Sequence, residues 1–106
     1  MVLIVIESWY PAKISSLVGQ KYIEATQKYP PDNSLGEIAL DPIVRPTKDG
    51  IHTIYAWKCK DDKVKDSIMA LAKMMFIYAD LEGYQYSMET YADLNEAYAI
   101  IGAKAP

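Results

Sequence analysis

The side chains best suited to chemistry in this sequence are three glutamates that adjoin apolar, strand-like segments. Glu7 follows the apolar residues 2–6, and Glu37 and Glu89 lie in two further segments of this kind. A carboxylate held out of water beside aromatic rings has a raised pKa and can act as a general base. Charges on edge strands also discourage aggregation between sheets, so Glu37 and Glu89 have a structural interpretation as well. Glu7 is therefore the candidate catalytic residue.

Aromatic residues form a second group with functional potential. Trp9, Tyr55 and Trp57 lie in two predicted strands. Aromatic walls with one or two polar groups suit a flat apolar ligand, although such residues also form the centres of protein interfaces. The predicted ligand-binding residues are Glu7, Trp9, Tyr55, Trp57 and Glu89.

The sequence offers little for metal, redox or phosphate chemistry. His52 is the only histidine, so one chain cannot supply several imidazole ligands. Its position after the Asp49-Gly50 turn predicts an exposed strand end. Cys59 is the single cysteine, which excludes an intramolecular disulfide and fits a reducing compartment. Phosphate-binding glycine loops and the motifs of serine and zinc hydrolases are absent. We therefore predict neither a metal nor another cofactor.

The composition is that of an ordinary globular domain. Half of the 106 residues are apolar (51%), and 11 basic against 14 acidic side chains leave a net charge of −3. This surface has no electrostatic footprint for nucleic acid or anionic lipid. The apolar run at residues 2–6 is too short for a signal peptide or a membrane span. We expect one domain over residues 1–106 and a cytoplasmic location.

Hydrophobic periodicity predicts the elements that must position these side chains. The strands fall at residues 2–9, 35–44, 51–59 and 84–91, and the helices at 12–29, about 61–82 and 93–101. Pro42 assigns the second strand to a sheet edge, and Gly19 predicts a close approach of the first helix to the sheet. Asp93 and Glu96 have the spacing of a capping box. The order is β-α-β-β-α-β, an α+β, ferredoxin-like pattern with two helices on one face of a four-stranded antiparallel sheet, plus a short C-terminal helix.

Two helices cover only one side of such a sheet. We expect Leu3, Val5, Tyr55 and Trp57 on the other side, where they would form a large apolar patch. A twofold homodimer is the simplest way to bury the patch. The alternative is a shallow groove for another protein.

Five short segments carry a resemblance to a known family: Tyr10-Pro11-Ala12, Tyr29-Pro30-Pro31-Asp32, Lys48-Asp49-Gly50-Ile51, Glu82-Gly83-Tyr84-Gln85-Tyr86 and residues 91–97. With them, the whole chain resembles small, uncharacterised prokaryotic proteins of the dimeric α+β barrel superfamily. The resemblance implies two ferredoxin-like sheets packed face to face in a dimer. That superfamily includes cofactor-free monooxygenases, haem-handling enzymes, lactone isomerases and small-molecule sensors, so the resemblance leaves the activity open.

Three functions follow as hypotheses. The first is a homodimer that binds an apolar or aromatic small molecule at the open face of the sheet. The second is a cofactor-independent monooxygenase or isomerase with Glu7 as general base. The third is a structural or interaction module whose aromatic face is filled by its partner chain.

Overall fold

The chain alternates strands and helices in the predicted order. The computed structural model describes all residues from Met1 to Pro106. Its elements are β1 (Leu3–Tyr10), a 3-10 turn (Ala12–Ile14) leading into α1 (Ser15–Lys28), β2 (Gly36–Thr47), β3 (Gly50–Cys59), α2 (Val64–Met75) continued by a 3-10 turn (Phe76–Tyr78), β4 (Gln85–Tyr91) and α3 (Leu94–Ile100). The strands form one antiparallel sheet in the order β2-β3-β1-β4. The predicted ferredoxin-like α+β fold is confirmed, with β1 and β3 in the centre.

Strand β1 sets the two faces of the sheet. Ile4 and Ile6 are buried and point toward the helices. Leu3 and Val5 alternate with them and point to the opposite side, which we call the open face. A strand that is apolar in both phases therefore occupies a central position, as expected of residues that need cover on both sides.

Strand β2 lies at the edge, where proline is tolerated because the outer backbone needs no ladder partner. Its pairing with β3 shifts register twice, between Ile38 and Leu40 and again between Leu40 and Ile43. Pro42 lies within the second irregularity. Bulges of this kind re-aim side chains locally, and Leu40 and Ile43 both end on the open face, opposite Ala56 and Ile54.

Strand β3 corrects one prediction. Tyr55 pairs with Ile6 and Trp57 with Ile4, so both aromatic rings point toward the helices. The expectation that Tyr55 and Trp57 share the open face with Leu3 and Val5 is wrong. The physical reason is register: directly opposed residues on antiparallel strands project to the same face, and β3 is apolar in both phases.

The helices differ from the prediction mainly at their ends. Helix α2 begins at Val64, without a side-chain cap, and ends at Met75, so it is shorter at both ends than the predicted range of about 61–82. The predicted capping box of α3 is confirmed. The Asp93 carboxylate accepts from the Glu96 N–H at 2.8 Å, and the Glu96 carboxylate accepts from the Asp93 N–H at 2.9 Å.

The helices stand away from part of the sheet. A Cβ built on Gly19 of α1 would meet no atom within 4 Å. The predicted close approach at Gly19 is therefore wrong, since the residue borders empty space instead. None of the helices has the length and apolar character that crossing a membrane would require.

Candidate functional site

A large cavity separates the two long helices from the sheet. Its volume is about 710 Å³, and more than half of its lining residues are hydrophobic. Ile6, Ser8 and Tyr55 line its sheet side, while Val18 of α1 and Met74 of α2 line its helix side. We call this space the helix–sheet cavity. It exists because α1 and α2 cover the sheet without filling the space above its centre.

Several tyrosines are among the residues that line the helix–sheet cavity. Tyr55 lies on the sheet side, and Tyr22 and Tyr78 lie on the helix side. Burial raises the pKa of the Tyr55 phenol to about 12, helped by the neighbouring Asp41 carboxylate. Burial also raises the pKa of Tyr78. Tyr55 and Tyr78 therefore stay neutral at physiological pH and can donate hydrogen bonds to a ligand.

Three stacked tyrosines close one end of the cavity. The ring of Tyr84 stacks on Tyr78, with centroids 4.8 Å apart, and on Tyr10, with centroids 5.9 Å apart. Tyr84 precedes β4, and Tyr10 ends β1, so the stack joins the first and last strands to the 3-10 turn after α2. Stacked and offset aromatic pairs add to the stabilisation from burial. The three rings therefore form a well-packed part of the cavity wall.

Trp57 has a mainly structural role in the cavity wall. Its indole Nε1 donates to the Ser67 hydroxyl at 3.2 Å, and that hydroxyl donates to the Leu35 carbonyl at 3.4 Å. The one polar atom of the indole is thus already satisfied by the protein. A ligand would contact the apolar ring of Trp57 and no hydrogen-bonding group.

The open face carries a separate cluster around Glu7. The His52 Nε2 lies 3.3 Å from a Glu7 carboxylate oxygen. The His52 ring also stacks on Trp9, with centroids 5.3 Å apart and planes 8° from parallel. These contacts leave only 15% of the His52 side chain exposed. The prediction of an exposed strand-end histidine is wrong, because Glu7 and Trp9 cover the ring on the neighbouring strand.

The rest of the open face is apolar at its centre and charged at its margins. Val5, Ile54 and Ala56 form the centre, extended by Leu40 and Ile43 on β2. The charged side chains of this face, besides Glu7, are Glu37, Arg45, Lys58 and Glu89. Glu37 pairs with Lys58 and Glu89 with Val5, so both glutamates do reach the open face as predicted.

The five predicted ligand-binding residues do not form one site. Tyr55 and Trp57 line the helix–sheet cavity. Glu7, Trp9 and Glu89 lie on the opposite side of the same sheet. The sheet itself separates the two groups, so no single small molecule can contact both.

Sequence reasoning missed the polar residues on the sheet side of the cavity. Ser8 lies directly opposite Thr53, and both line the cavity. In β1, Ser8 lies on the same face as Ile4 and Ile6. A hydroxyl side chain on the buried face of a central strand is the sequence signal that could have indicated a polar group in the cavity. No group of three His, Cys, Asp or Glu side chains converges in a way that could hold a metal ion.

Comparisons with known proteins support the fold and leave the family open. No family model and no curated protein matches the chain. Among solved structures, the de novo designed protein Foldit4 aligns with a TM-score of 0.50 and 8% identity over 87% of this chain and 96% of its own. This likeness is one of fold alone.

Two natural proteins align at slightly lower TM-scores. A candidate monooxygenase from Shewanella loihica PV-4 aligns with a TM-score of 0.46 and 15% identity over 89% of this chain and 97% of its own. A NipSnap family protein of unknown function from Agrobacterium tumefaciens strain C58 aligns with a TM-score of 0.45 and 14% identity over 88% and 90%. Membership of the dimeric α+β barrel superfamily stays a prediction.

Proposed function

We propose that this protein binds an apolar or aromatic small molecule in the helix–sheet cavity. The observation that carries the proposal is the cavity itself, about 710 Å³ in volume. Ligand sites for small organic molecules have volumes of roughly 300–1,000 Å³ and are mostly apolar with a few polar groups. The proposal keeps the predicted ligand class and moves the site from the open face to the opposite side of the sheet.

The shape and chemistry of the lining favour a flat, uncharged ligand. The sheet side presents Ile6, Tyr55 and the ring of Trp57, and the helix side presents Leu71 and Met74. A flat ring system lies well between a sheet and a helix layer, since both surfaces are broad. A charged ligand would lose its hydration here without gaining a buried counter-ion.

Cavity-filling substitutions test this proposal. Ala70 of α2 lines the cavity, whereas the next residue back, Met69, does not line it and is 54% exposed. The probe is 1-naphthol, followed by its fluorescence and by titration calorimetry. We expect Ala70→Phe to weaken binding by about tenfold or more, because the new ring would project from α2 into the space between helix and sheet where a flat ligand lies.

Met69→Phe is the matched control, because it adds a similar ring on the same helix outside the cavity. Its affinity for 1-naphthol should stay within about twofold of wild type. Absence of saturable binding to wild type, or equal binding to both variants, contradicts the proposed function. Circular dichroism spectra of the variants verify that each one is folded.

We also propose that the open face is the contact surface of a homodimer. Four strands give this face a width of about 19 Å, and seven residues along each strand give a length of about 24 Å. The projected footprint is therefore about 460 Å², and side chains around the margins of the sheet would have to supply the rest of the ~800 Å² per partner that a stable interface buries. Acidic and basic side chains both surround the apolar centre, so a second copy can place opposite charges together across a twofold axis.

The single Cys59 thiol is buried and supports a cytoplasmic location.

The enzymatic alternative is restricted to a substrate bound at the open face. Glu7 lies on the open face and lines no part of the helix–sheet cavity. It therefore cannot act as the base for a molecule bound in that cavity. Its contact with His52 supports a role only for a substrate held at the open face. Replacing Glu7 with Gln and measuring turnover of a substrate found by screening would test this second candidate.

A further inference from the structure

We infer that the ligand of the helix–sheet cavity carries a hydroxyl or carbonyl oxygen, and that Ser8 and Thr53 recognise it. This inference rests on the proposed function and goes beyond it, because it names the polar group of the ligand and the residues that select it. The two residues lie opposite each other on the central strands β1 and β3, on the cavity side of the sheet.

The surroundings of the pair are mostly apolar. Ile6 and Tyr55 form the adjacent cross-strand pair on the same face, and Ser8 itself is only 2% exposed. The Ser8 Oγ and Thr53 Oγ1 atoms lie 2.5 Å apart, so one hydroxyl donates to the other. Polar atoms in such a place are unfavourable unless hydrogen-bonded, and valine or alanine would suit a purely apolar surface.

The hydrogen-bonding capacity of the pair exceeds what the pair itself uses. Each hydroxyl has one O–H donor and two acceptor positions. Ser8 hydrogen-bonds both Thr53 and the Tyr84 phenol, so the three hydroxyls make two bonds among themselves, which leaves one O–H and several lone pairs. Tyr84 lies beside Ser8, and burial raises the pKa of its phenol, so it adds a further neutral group. This mixed set can donate to a carbonyl oxygen and can exchange hydrogen bonds with a hydroxyl.

The charges along the cavity disfavour a carboxylate or phosphate as the matching group, because Asp32 and Asp41 line it together with a single basic residue. Lys28 is the only basic residue that lines the cavity. It lies at the last turn of α1, where its ammonium is 5.7 Å from the centre of the Tyr29 ring. Neither Ser8 nor Thr53 hydrogen-bonds a basic side chain. A neutral oxygen fits this end, and an anion would remain uncompensated.

The experiment compares two probes that differ by one hydroxyl, naphthalene and 1-naphthol, in wild type and in Thr53→Val. The substitution keeps the shape of the side chain and removes its oxygen. We expect wild type to prefer 1-naphthol by about tenfold, the effect of one good hydrogen bond in an apolar site. In Thr53→Val the preference should fall to about twofold or less, and naphthalene should bind at least as tightly as to wild type.

Ile6→Val is the matched control, because it trims the sheet side of the cavity next to the pair without touching a polar atom. It should weaken the binding of both probes by the same factor. Retention of the 1-naphthol preference in Thr53→Val overturns the inference and makes the pair a simple cross-strand contact. Equal binding of both probes to wild type overturns it as well but leaves the proposed function intact. If neither probe binds to wild type, the proposed function fails together with this inference.

Discussion

The Trp57 indole nitrogen donates to the Ser67 hydroxyl across 3.2 Å, and this bond joins the central strand β3 to helix α2. Trp57 is 4% exposed and Ser67 is 1% exposed, so the bond is shielded from water. A buried hydrogen bond from a large aromatic ring both orients the ring and anchors the helix. The contact therefore holds one wall of the helix–sheet cavity in place.

Loss of this contact should destabilise the protein. Trp57→Phe removes the N–H donor and part of a buried ring, so we expect the free energy of unfolding to fall by about 2 kcal/mol. Trp9→Phe is the control, because Trp9 is 41% exposed and its ring stacks on His52. That change should lower stability by less than about 1 kcal/mol. Urea denaturation followed by circular dichroism gives both values, and equal losses would contradict the role assigned to Trp57.

Two glycines should respond to alanine in opposite ways. Gly19 lies inside α1, and a Cβ there would meet no atom within 4 Å. Gly19→Ala should raise the free energy of unfolding by about 0.5–1 kcal/mol, since glycine is a poor helix former. At Gly36 a Cβ would lie 2.2 Å from the Lys58 carbonyl oxygen. Gly36→Ala should lower stability by more than about 2 kcal/mol, because backbone must move to relieve the clash. Urea unfolding of both variants measures the two changes in the free energy of unfolding. A lower stability of Gly19→Ala would mean that α1 packs more closely on the sheet than described.

Stability should fall steeply in alkali. The pKa of Tyr55 rises from 10 to about 12 on folding, so the folded protein holds a proton that the unfolded chain releases in this range. The neutral phenol therefore stabilises the fold fully below pH 10, and that contribution is lost as the pH rises from 10 through about 12. Denaturant unfolding at pH 9 and pH 11 measures the loss, which Tyr55→Phe should reduce. An identical pH dependence in Tyr55→Phe would contradict the assignment.

The proposed dimer makes a prediction about the open face. Ile54 lies at the apolar centre of that face, and Ile54→Lys would place a charge between the two copies. We expect analytical ultracentrifugation to show a dimer for wild type and a folded monomer for this variant. Ile23→Lys is the control, since Ile23 is 58% exposed on α1, away from the open face, and should leave the dimer intact. A wild-type monomer at every concentration would contradict the proposal.

The local sequence was enough to predict the elements and their order. The continuous apolar run in β1, the prolines in β2 and the capping box at Asp93 and Glu96 all act over a few neighbouring residues. Once the β-α-β-β-α-β order is set, the handedness of the crossovers leaves few topologies. The central positions of β1 and β3 could therefore be predicted without any tertiary information.

The inward face of β3 and the location of the cavity depended on tertiary structure. Both phases of β3 contain apolar residues, so its pattern alone could not decide which face Tyr55 and Trp57 occupy. The pairing of Ile6 with Tyr55 and of Ile4 with Trp57 places both rings on the helix side of the sheet. The hydrogen bond from Trp57 to the Ser67 hydroxyl then holds the indole against α2. The space above Gly19 likewise depends on how far α1 stands from the sheet. Periodicity describes the surface of each element separately, whereas a cavity is the gap between two elements, and only their packing together determines it.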